Sequence, residues 1–255
     1  MNTTVGSSAA LLLFLASGAL VAAAPIKVPS YIETAVADPS RPEADRARDV
    51  NRKPAQVIAF AGIKPGDQIG ELMPGGGYFT RIFCLIAGSK GHVYTVHVTP
   101  AVPPKPPAAG AAPPPPPPPN PCTNVSDQSL NAASLSFPAK LDVVWTSENY
   151  HDLHNAAYGA PDMKAFDSVI FQALKPGGVF MVEDHAAEPG SGARDTGTLH
   201  RFDVELVKQE VTSAGFVFEA ASDVLHNADD PHQAKVFELK GTSDKFLLKF
   251  RKPRH

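Results

Sequence analysis

Segments with helical spacing alternate with short apolar segments along most of the chain, and this alternation constrains the fold more than any other feature of the sequence. The segments with helical spacing are 42–51, 54–61, a stretch that begins just after Gly77, 163–174 and 204–214. The short apolar segments are 68–72, 92–98, 141–146, 179–183, 216–220 and 246–250. Strands separated by helices form βαβ units with helices on either side of a sheet. The sequence therefore predicts an α/β fold with a doubly wound, mostly parallel sheet and helices on both faces.

A tract of seven consecutive prolines, residues 113–119, interrupts this alternation. Such a tract adopts the extended polyproline II conformation and joins neither a helix nor a sheet. A long surface loop is tolerated because its closure entropy grows slowly with length. We therefore predict that residues 99–138 are a proline-rich loop inserted into a single domain, residues 24–255. The alternative is that the tract binds the aromatic groove of a partner protein.

The first 25 residues carry no charged side chain. An apolar stretch over residues 9–21 precedes three alanines at 22–24, a pattern typical of a secretory signal peptide, here residues 1–23. The apolar stretch is shorter than the ~20 residues that a membrane span needs. The sequence thus predicts a periplasmic or secreted protein with no stable membrane span after cleavage.

The charge balance argues against nucleic acid as a partner. The chain of 255 residues contains Lys+Arg 23 and Asp+Glu 26, a formal net charge of -3. Domains that bind nucleic acid present strongly basic surfaces, and this balance predicts none.

Two cysteines are present, and in an exported protein they are able to form a Cys84–Cys122 disulfide. Cys84 lies inside an apolar helix pattern, where a free thiol behaves as a small hydrophobic side chain. Two cysteines carry no information about pairing. We therefore predict that Cys84 is a buried free thiol.

A glycine-rich turn, residues 71–77 with the sequence Glu-Leu-Met-Pro-Gly-Gly-Gly, follows a predicted strand and opens a predicted helix. Three glycines allow a ligand to approach the backbone closely, and N–H groups at the start of a helix can donate to an anionic group. The acidic Glu71 at the strand end suits a hydroxyl or ammonium group. Strand, glycines, helix and second strand follow one another as in a nucleotide-binding βαβ unit.

On these residues the chain resembles the class I S-adenosylmethionine-dependent methyltransferases, and more closely an exported group described as predicted methyltransferases. The resemblance covers roughly residues 43–252. Its motifs are residues 62–67 before the first strand, the glycine turn, residues 174–178 before a late strand and residues 214–216 before the last hairpin. The resemblance implies a Rossmann-like sheet of the seven-strand type and S-adenosylmethionine as the cofactor.

In that family the acidic residue that opens the glycine turn contacts the amino group of the donor's methionine, and the glycines border its methionine and ribose portions. The resemblance therefore implies that Glu71, Gly75, Gly76 and Gly77 bind the donor. His97 stands at the end of the second strand, where the family has an acidic residue that holds the ribose hydroxyls. We assign His97 to the same role.

A second group of polar residues follows the later predicted strands. Its members with imidazole or carboxylate side chains include His151, His154, Asp184, His185 and His200. Ligands of a doubly wound sheet bind beyond the carboxyl ends of the strands. We therefore expect this group to face the same crevice as the glycine turn.

Three interpretations of this group stay open. In the first, His151 or His185 removes a proton from the methyl acceptor and Asp184 orients the imidazole, and on it we assign these three residues as catalytic. In the second, the imidazoles and carboxylates bind a metal ion, although the sequence alone leads us to assign no metal ligand. In the third, they only cap helices and close loops.

The sequence therefore predicts a methyltransferase that takes its methyl group from a small-molecule donor, S-adenosylmethionine. The acceptor is an unidentified small molecule or envelope component. Arg48 and Arg52 are candidates for a lid over the cleft. The alternative function is an exported binding module on the same fold, without methyl transfer and assisted by a metal ion in the His/Asp group.

Overall fold

The computed structural model describes residues 26–102 and 116–254. The predicted signal peptide, residues 1–23, lies outside the described residues, as do residues 113–115 of the proline tract. Among the described helices, none has both the length and the apolar character needed to cross a membrane.

Seven strands form the central sheet. They are β1 (Gln68–Leu72), β2 (His92–Val98), β3 (Val125–Leu130), β4 (Leu141–Ser147), β5 (Leu174–His185), β6 (Val217–Ser222) and β7 (Lys245–Arg251). Their order across the sheet is β3-β2-β1-β4-β5-β7-β6. The first five strands are parallel, and β7 runs antiparallel to both of its neighbours. The predicted doubly wound, mostly parallel sheet is confirmed.

The helices between the strands agree with the predicted pattern, except that the segment predicted as one helix over 42–51 forms two short helices. The α-helices of the described residues are α1 (Ser30–Val36), α2 (Glu43–Arg46), α3 (Asp49–Arg52), α4 (Pro54–Ala61), α5 (Tyr78–Ala87), α6 (Met163–Ala173) and α7 (Val204–Ser213). Short 3₁₀ helices span Gly88–Lys90, Ala132–Ser134, Tyr150–His154, Ala156–Tyr158, Asp223–Leu225 and Val236–Leu239.

Both faces of the sheet are buried, which explains why its central strands are apolar at consecutive positions. Val143 and Trp145 of β4 pack with α1, α4 and α5 on one face. Val144, between them in sequence, packs with α6 and α7 on the other face. A parallel sheet covered on both faces lacks the apolar–polar alternation of a half-exposed sheet. The predicted helices on both faces are therefore confirmed.

Strand β3 corrects the prediction that residues 99–138 form a loop throughout. Val125–Leu130 pairs in parallel with β2 at the edge of the sheet. Its side chains are exposed or only half-buried. An edge strand is held by backbone hydrogen bonds on one side and needs few apolar side chains, so its polar sequence carries little strand signal.

A disulfide joins Cys84 to Cys122, and the prediction of a free thiol at Cys84 is therefore wrong. The apolar pattern of α5 correctly placed Cys84 in the core, where it is 1% exposed. Burial and pairing are compatible because Cys122, in the segment that leads into β3, packs against the same core. Next to the bridge, Asn124 Nδ2 donates to the carbonyl oxygens of Cys84 and Gly88, which ties the same two segments together.

Candidate active site

A cleft at the carboxyl ends of β1, β2 and β4 contains most of the residues predicted to bind the donor. Its volume is about 380 Å³, and ligand sites typically measure about 300–1,000 Å³. Glu71, Gly75, Gly76 and His97 line it, whereas Gly77 does not. Open α/β sheets bind their ligands at this end of the strands. We call this space the glycine-turn cleft.

The glycine turn leaves open space beside its backbone at Gly75 and Gly76. A Cβ atom at either position would meet no heavy atom within 4 Å. Gly75 also has a φ of 55°, which side-chain-bearing residues rarely adopt. Gly77 caps α5 with a φ of 79°, and a Cβ atom there would lie 2.9 Å from Arg81 Nη1. Gly75 and Gly76 therefore border the cleft, while Gly77 shapes the turn.

Glu71 is a buried carboxyl group at the edge of the cleft. It lies in β1 and is 3% exposed. Thr80 Oγ1 donates to Glu71 Oε2 at 2.6 Å. Burial raises the pKa of Glu71 to about 8, although the Thr80 hydrogen bond and the Arg52 and Arg81 charges act in the opposite direction. At neutral pH the carboxyl is therefore mostly protonated until a cation approaches it.

Replacing Glu71 by glutamine should stabilise the protein at alkaline pH. The folded-state pKa lies above the unfolded value, so the folded protein binds more protons and its stability falls as the pH rises from about 4.3 to about 8. Glutamine cannot ionise and avoids this loss. We expect Glu71→Gln to increase the free energy of unfolding by about 5 kcal/mol at pH 8.5 and by only about 1 kcal/mol at pH 5. Urea unfolding at both pH values measures the difference.

Glu188→Gln supplies the control, because it makes the same substitution at a solvent-exposed side chain and a surface change of this kind should alter the stability little at either pH. A Glu71→Gln effect of equal size at pH 5 and pH 8.5 would contradict the titration of Glu71.

His97 lies at the rim of the cleft, with its side chain 45% exposed. Its Nε2 atom is 3.9 Å from Oδ1 of Asp127 on the edge strand β3. Thr95, two residues earlier on β2, also donates a hydrogen bond to Asp127. An acidic group thus stands beside the end of β2, although it comes from the neighbouring strand.

Arg48 and Arg52 form one wall of the cleft, in agreement with their predicted position over it. Arg52 is buried and its guanidinium carbon lies 4.5 Å from the centre of the Tyr78 ring. Its Nη2 atom donates to Ser147 Oγ at 2.8 Å and lies 3.1 Å from Glu148 Oε2. Arg52 therefore joins α3 to the carboxyl end of β4.

The three residues predicted as catalytic lie close together, but two of them are sealed from the cleft. His151 Nδ1 donates to Asp184 Oδ1 at 2.8 Å, and the His185 backbone N–H donates to the same oxygen. His151 is 2% exposed and Asp184 is fully buried. Burial opposes the imidazolium of His151, but the Asp184 carboxylate outweighs burial and raises the His151 pKa.

His185 borders a second cavity of about 460 Å³. This cavity shares Arg48, Arg52 and Glu148 with the glycine-turn cleft and also contains Lys240 and Lys245. His185 Nδ1 lies 2.8 Å from Ser243 Oγ, and burial lowers the His185 pKa to about 4. His185 is thus a neutral imidazole at physiological pH.

Sequence reasoning missed three polar residues near these cavities. Thr80, the partner of Glu71, is a hydroxyl residue within an apolar helix, and this contrast was an available signal. Asp127 belongs to a polar segment that gave no strand signal. Lys245 is buried at the start of β7, with Nζ 3.4 Å from Glu148 Oε1, and nothing local in the sequence indicates that pairing.

Solved structures with the same architecture include S-adenosylmethionine-dependent methyltransferases. One from Aquifex aeolicus has a TM-score of 0.52 and 15% identity, with 87% of this chain and 97% of that chain covered. The N-methyltransferase NodS from Bradyrhizobium japonicum has a TM-score of 0.53 and 16% identity, with 82% and 98% covered. The chain therefore has the class I methyltransferase fold.

The same fold also supports other chemistry. The [4+2]-cyclase SpnF has a TM-score of 0.50 and 17% identity to this chain, with 83% of this chain and 82% of that chain covered. No protein-family model matches the chain, and the comparison with curated proteins found no match. Function must therefore be argued from the site itself.

Proposed function

We propose that the protein is an S-adenosylmethionine-dependent methyltransferase that binds its donor in the glycine-turn cleft. The open space beside Gly75 and Gly76 carries this proposal, because a side chain at either position would project into space that a ligand can occupy. The cleft also lies at the end of the sheet where this fold binds its ligands. When bound, the donor supplies an activated methyl group, which passes to the acceptor and leaves S-adenosylhomocysteine.

The residues around the cleft suit the donor's chemistry. Glu71 offers a carboxyl group to an ammonium group, and its ionisation becomes favourable beside a cation. At the other side of the glycine turn, His97 and the nearby Asp127 offer an imidazole and a carboxylate to ribose hydroxyls. Tyr78 and Phe79 contribute aromatic surface.

The acceptor, a small molecule or envelope component, is proposed to bind in the second cavity. This cavity adjoins the cleft through the shared residues Arg48, Arg52 and Glu148. Of the three residues predicted as catalytic, only His185 borders it. A neutral His185, oriented by Ser243, is placed to accept a proton from the acceptor's nucleophile. His151 and Asp184, which are buried, would act through their neighbours.

We also propose that the protein works outside the cytosol, in the periplasm or as a secreted protein. The Cys84–Cys122 disulfide supports this proposal, because structural disulfides persist in oxidising compartments and are rare in the cytosol. The predicted signal peptide supports it independently.

Calorimetric titration of S-adenosylmethionine and S-adenosylhomocysteine into protein lacking residues 1–23 tests the donor site. We expect saturable binding of one equivalent of each. Circular dichroism on the same sample establishes that the protein is folded. Folded protein that binds neither compound would overturn the proposal and leave the exported binding module as the function.

A further inference from the structure

We infer that His151, Asp152 and His200 form a binding site for a single transition-metal ion, with zinc the metal that the geometry favours. The inference does not rest on the proposed function. It concerns a cluster beside the glycine-turn cleft, formed by the 3₁₀ helix Tyr150–His154 that follows β4 and by the loop after β5. Three side-chain atoms meet there: His151 Nε2, Asp152 Oδ1 and His200 Nδ1.

The three atoms have the separations that a four-coordinate ion requires. His151 Nε2 is 3.1 Å from His200 Nδ1 and 3.4 Å from Asp152 Oδ1. The third side of the triangle that these atoms form, from His200 Nδ1 to Asp152 Oδ1, is 3.6 Å. A tetrahedral ion with bonds of about 2.05 Å needs ligands about 3.35 Å apart. An octahedral ion with similar bonds needs about 2.9 Å.

An ion fits among these atoms without moving them. A circle through the three has a radius of about 2.0 Å, close to the length of a zinc–nitrogen bond, so the ion would lie just outside their plane. Two imidazoles and one carboxylate are ligands that zinc accepts, and the fourth position of a tetrahedron stays open.

Hydrogen bonds from neighbouring residues fix the tautomer of neutral His151 and the orientation of the Asp152 carboxylate. A carboxylate only accepts, so the bond to Asp184 places the proton of neutral His151 on Nδ1 and leaves the lone pair of Nε2 facing the other two atoms. Such carboxylate–histidine pairs are the usual support of metal-binding histidines. Asn155 Nδ2 donates to the same Oδ1 atom of Asp152 at 3.2 Å.

The third ligand is positioned by its backbone and remains accessible. His200 has a φ of 56°, an uncommon conformation for a residue with a side chain. The ring of Phe237 packs against its imidazole. The His200 side chain is 29% exposed and Asp152 lines the glycine-turn cleft, so an ion can reach the site.

Zinc titration of tag-free protein lacking residues 1–23, stripped of metal by a chelator and dialysed, tests the site. We expect one equivalent of Zn²⁺ to bind. His200→Ala and Asp152→Asn should each weaken binding at least 100-fold, and Asp184→Asn about 10- to 100-fold because it supports His151 from outside the triangle. The absorption spectrum of bound Co²⁺ should be that of a four-coordinate ion.

His226→Ala is the matched control, because it removes another imidazole that pairs with a carboxylate, that of Asp244. It should leave zinc binding unchanged. Equal affinity in the wild type, His200→Ala and Asp152→Asn would overturn the inference, as would loss of binding in His226→Ala or a six-coordinate Co²⁺ spectrum. If His200→Ala fails to fold, Asp152→Asn and the Co²⁺ spectrum decide the question.

Discussion

Replacing Gly76 by valine should abolish detectable binding of S-adenosylmethionine while leaving the protein folded. The Gly76 backbone tolerates a side chain, since its φ lies outside the left-handed region, and a Cβ atom meets nothing within 4 Å. Because Gly76 lines the glycine-turn cleft, we expect the valine side chain to occupy space in it. We expect the affinity for the donor to fall at least 100-fold, equivalent to about 3 kcal/mol, as measured by calorimetry.

Gly75→Val and Gly190→Val separate this effect from backbone strain. Gly75 borders the cleft and has a positive φ, so its valine variant should lose both donor affinity and stability. Gly190 has a φ of 80° and free space around it, but lies in an exposed turn outside the cleft. Its valine variant should lose stability and keep donor affinity. Thermal unfolding of the three variants gives the stability comparison.

Two results would contradict this account. If Gly76→Val binds the donor as well as the wild type, the donor does not lie against the glycine turn. If Gly190→Val loses affinity as Gly75→Val does, strain spreading through the fold explains the loss.

The central fold was predictable because burial on both faces leaves a strong trace in the sequence. Val143, Val144 and Trp145 form an apolar run since consecutive side chains enter opposite cores. Gly62 and Gly77, both with positive φ, mark a helix end and a helix start. The edge strand β3 left no such trace, because backbone pairing with β2 holds it while its polar side chains face solvent.

The candidate site was predictable where one motif supplies the residues and not where separate segments meet. The glycine turn brings Glu71, Gly75 and Gly76 to one cleft through local geometry alone. The contact of His97 with Asp127 depends on β3, whose pairing the sequence did not reveal.

The His/Asp group shows the same distinction. The sequence placed its members beyond the strand ends, and some of them do meet, since His151 contacts both Asp184 and His200. Which ones meet is decided by loop conformation: His151 and His200 approach within 3.1 Å, whereas His154 turns away to Glu210. Asp152, which is not among the residues named from the sequence, completes the triangle.

Reducing the Cys84–Cys122 disulfide should lower the free energy of unfolding by about 4 kcal/mol, because the bridge closes a chain segment with a sequence separation of 38. Released from it, the unfolded chain gains the entropy that loop closure had removed. The native contacts of Asn124 with the end of α5 remain. The reduced protein should therefore stay folded in water and unfold at a lower urea concentration.

Cys122→Ser provides the control that isolates the bridge. This variant should unfold at the midpoint of the reduced wild type, and reductant should change it no further. A midpoint unaffected by reductant in the wild type would contradict a bridge that stabilises the fold.

The position of the bridge also has a functional consequence. The bridge joins α5, which begins directly after the glycine turn, to the segment leading into β3, which carries Asp127. Loosening it should weaken donor binding as well as the fold, so the affinity of Cys122→Ser should fall even where the protein remains fully folded.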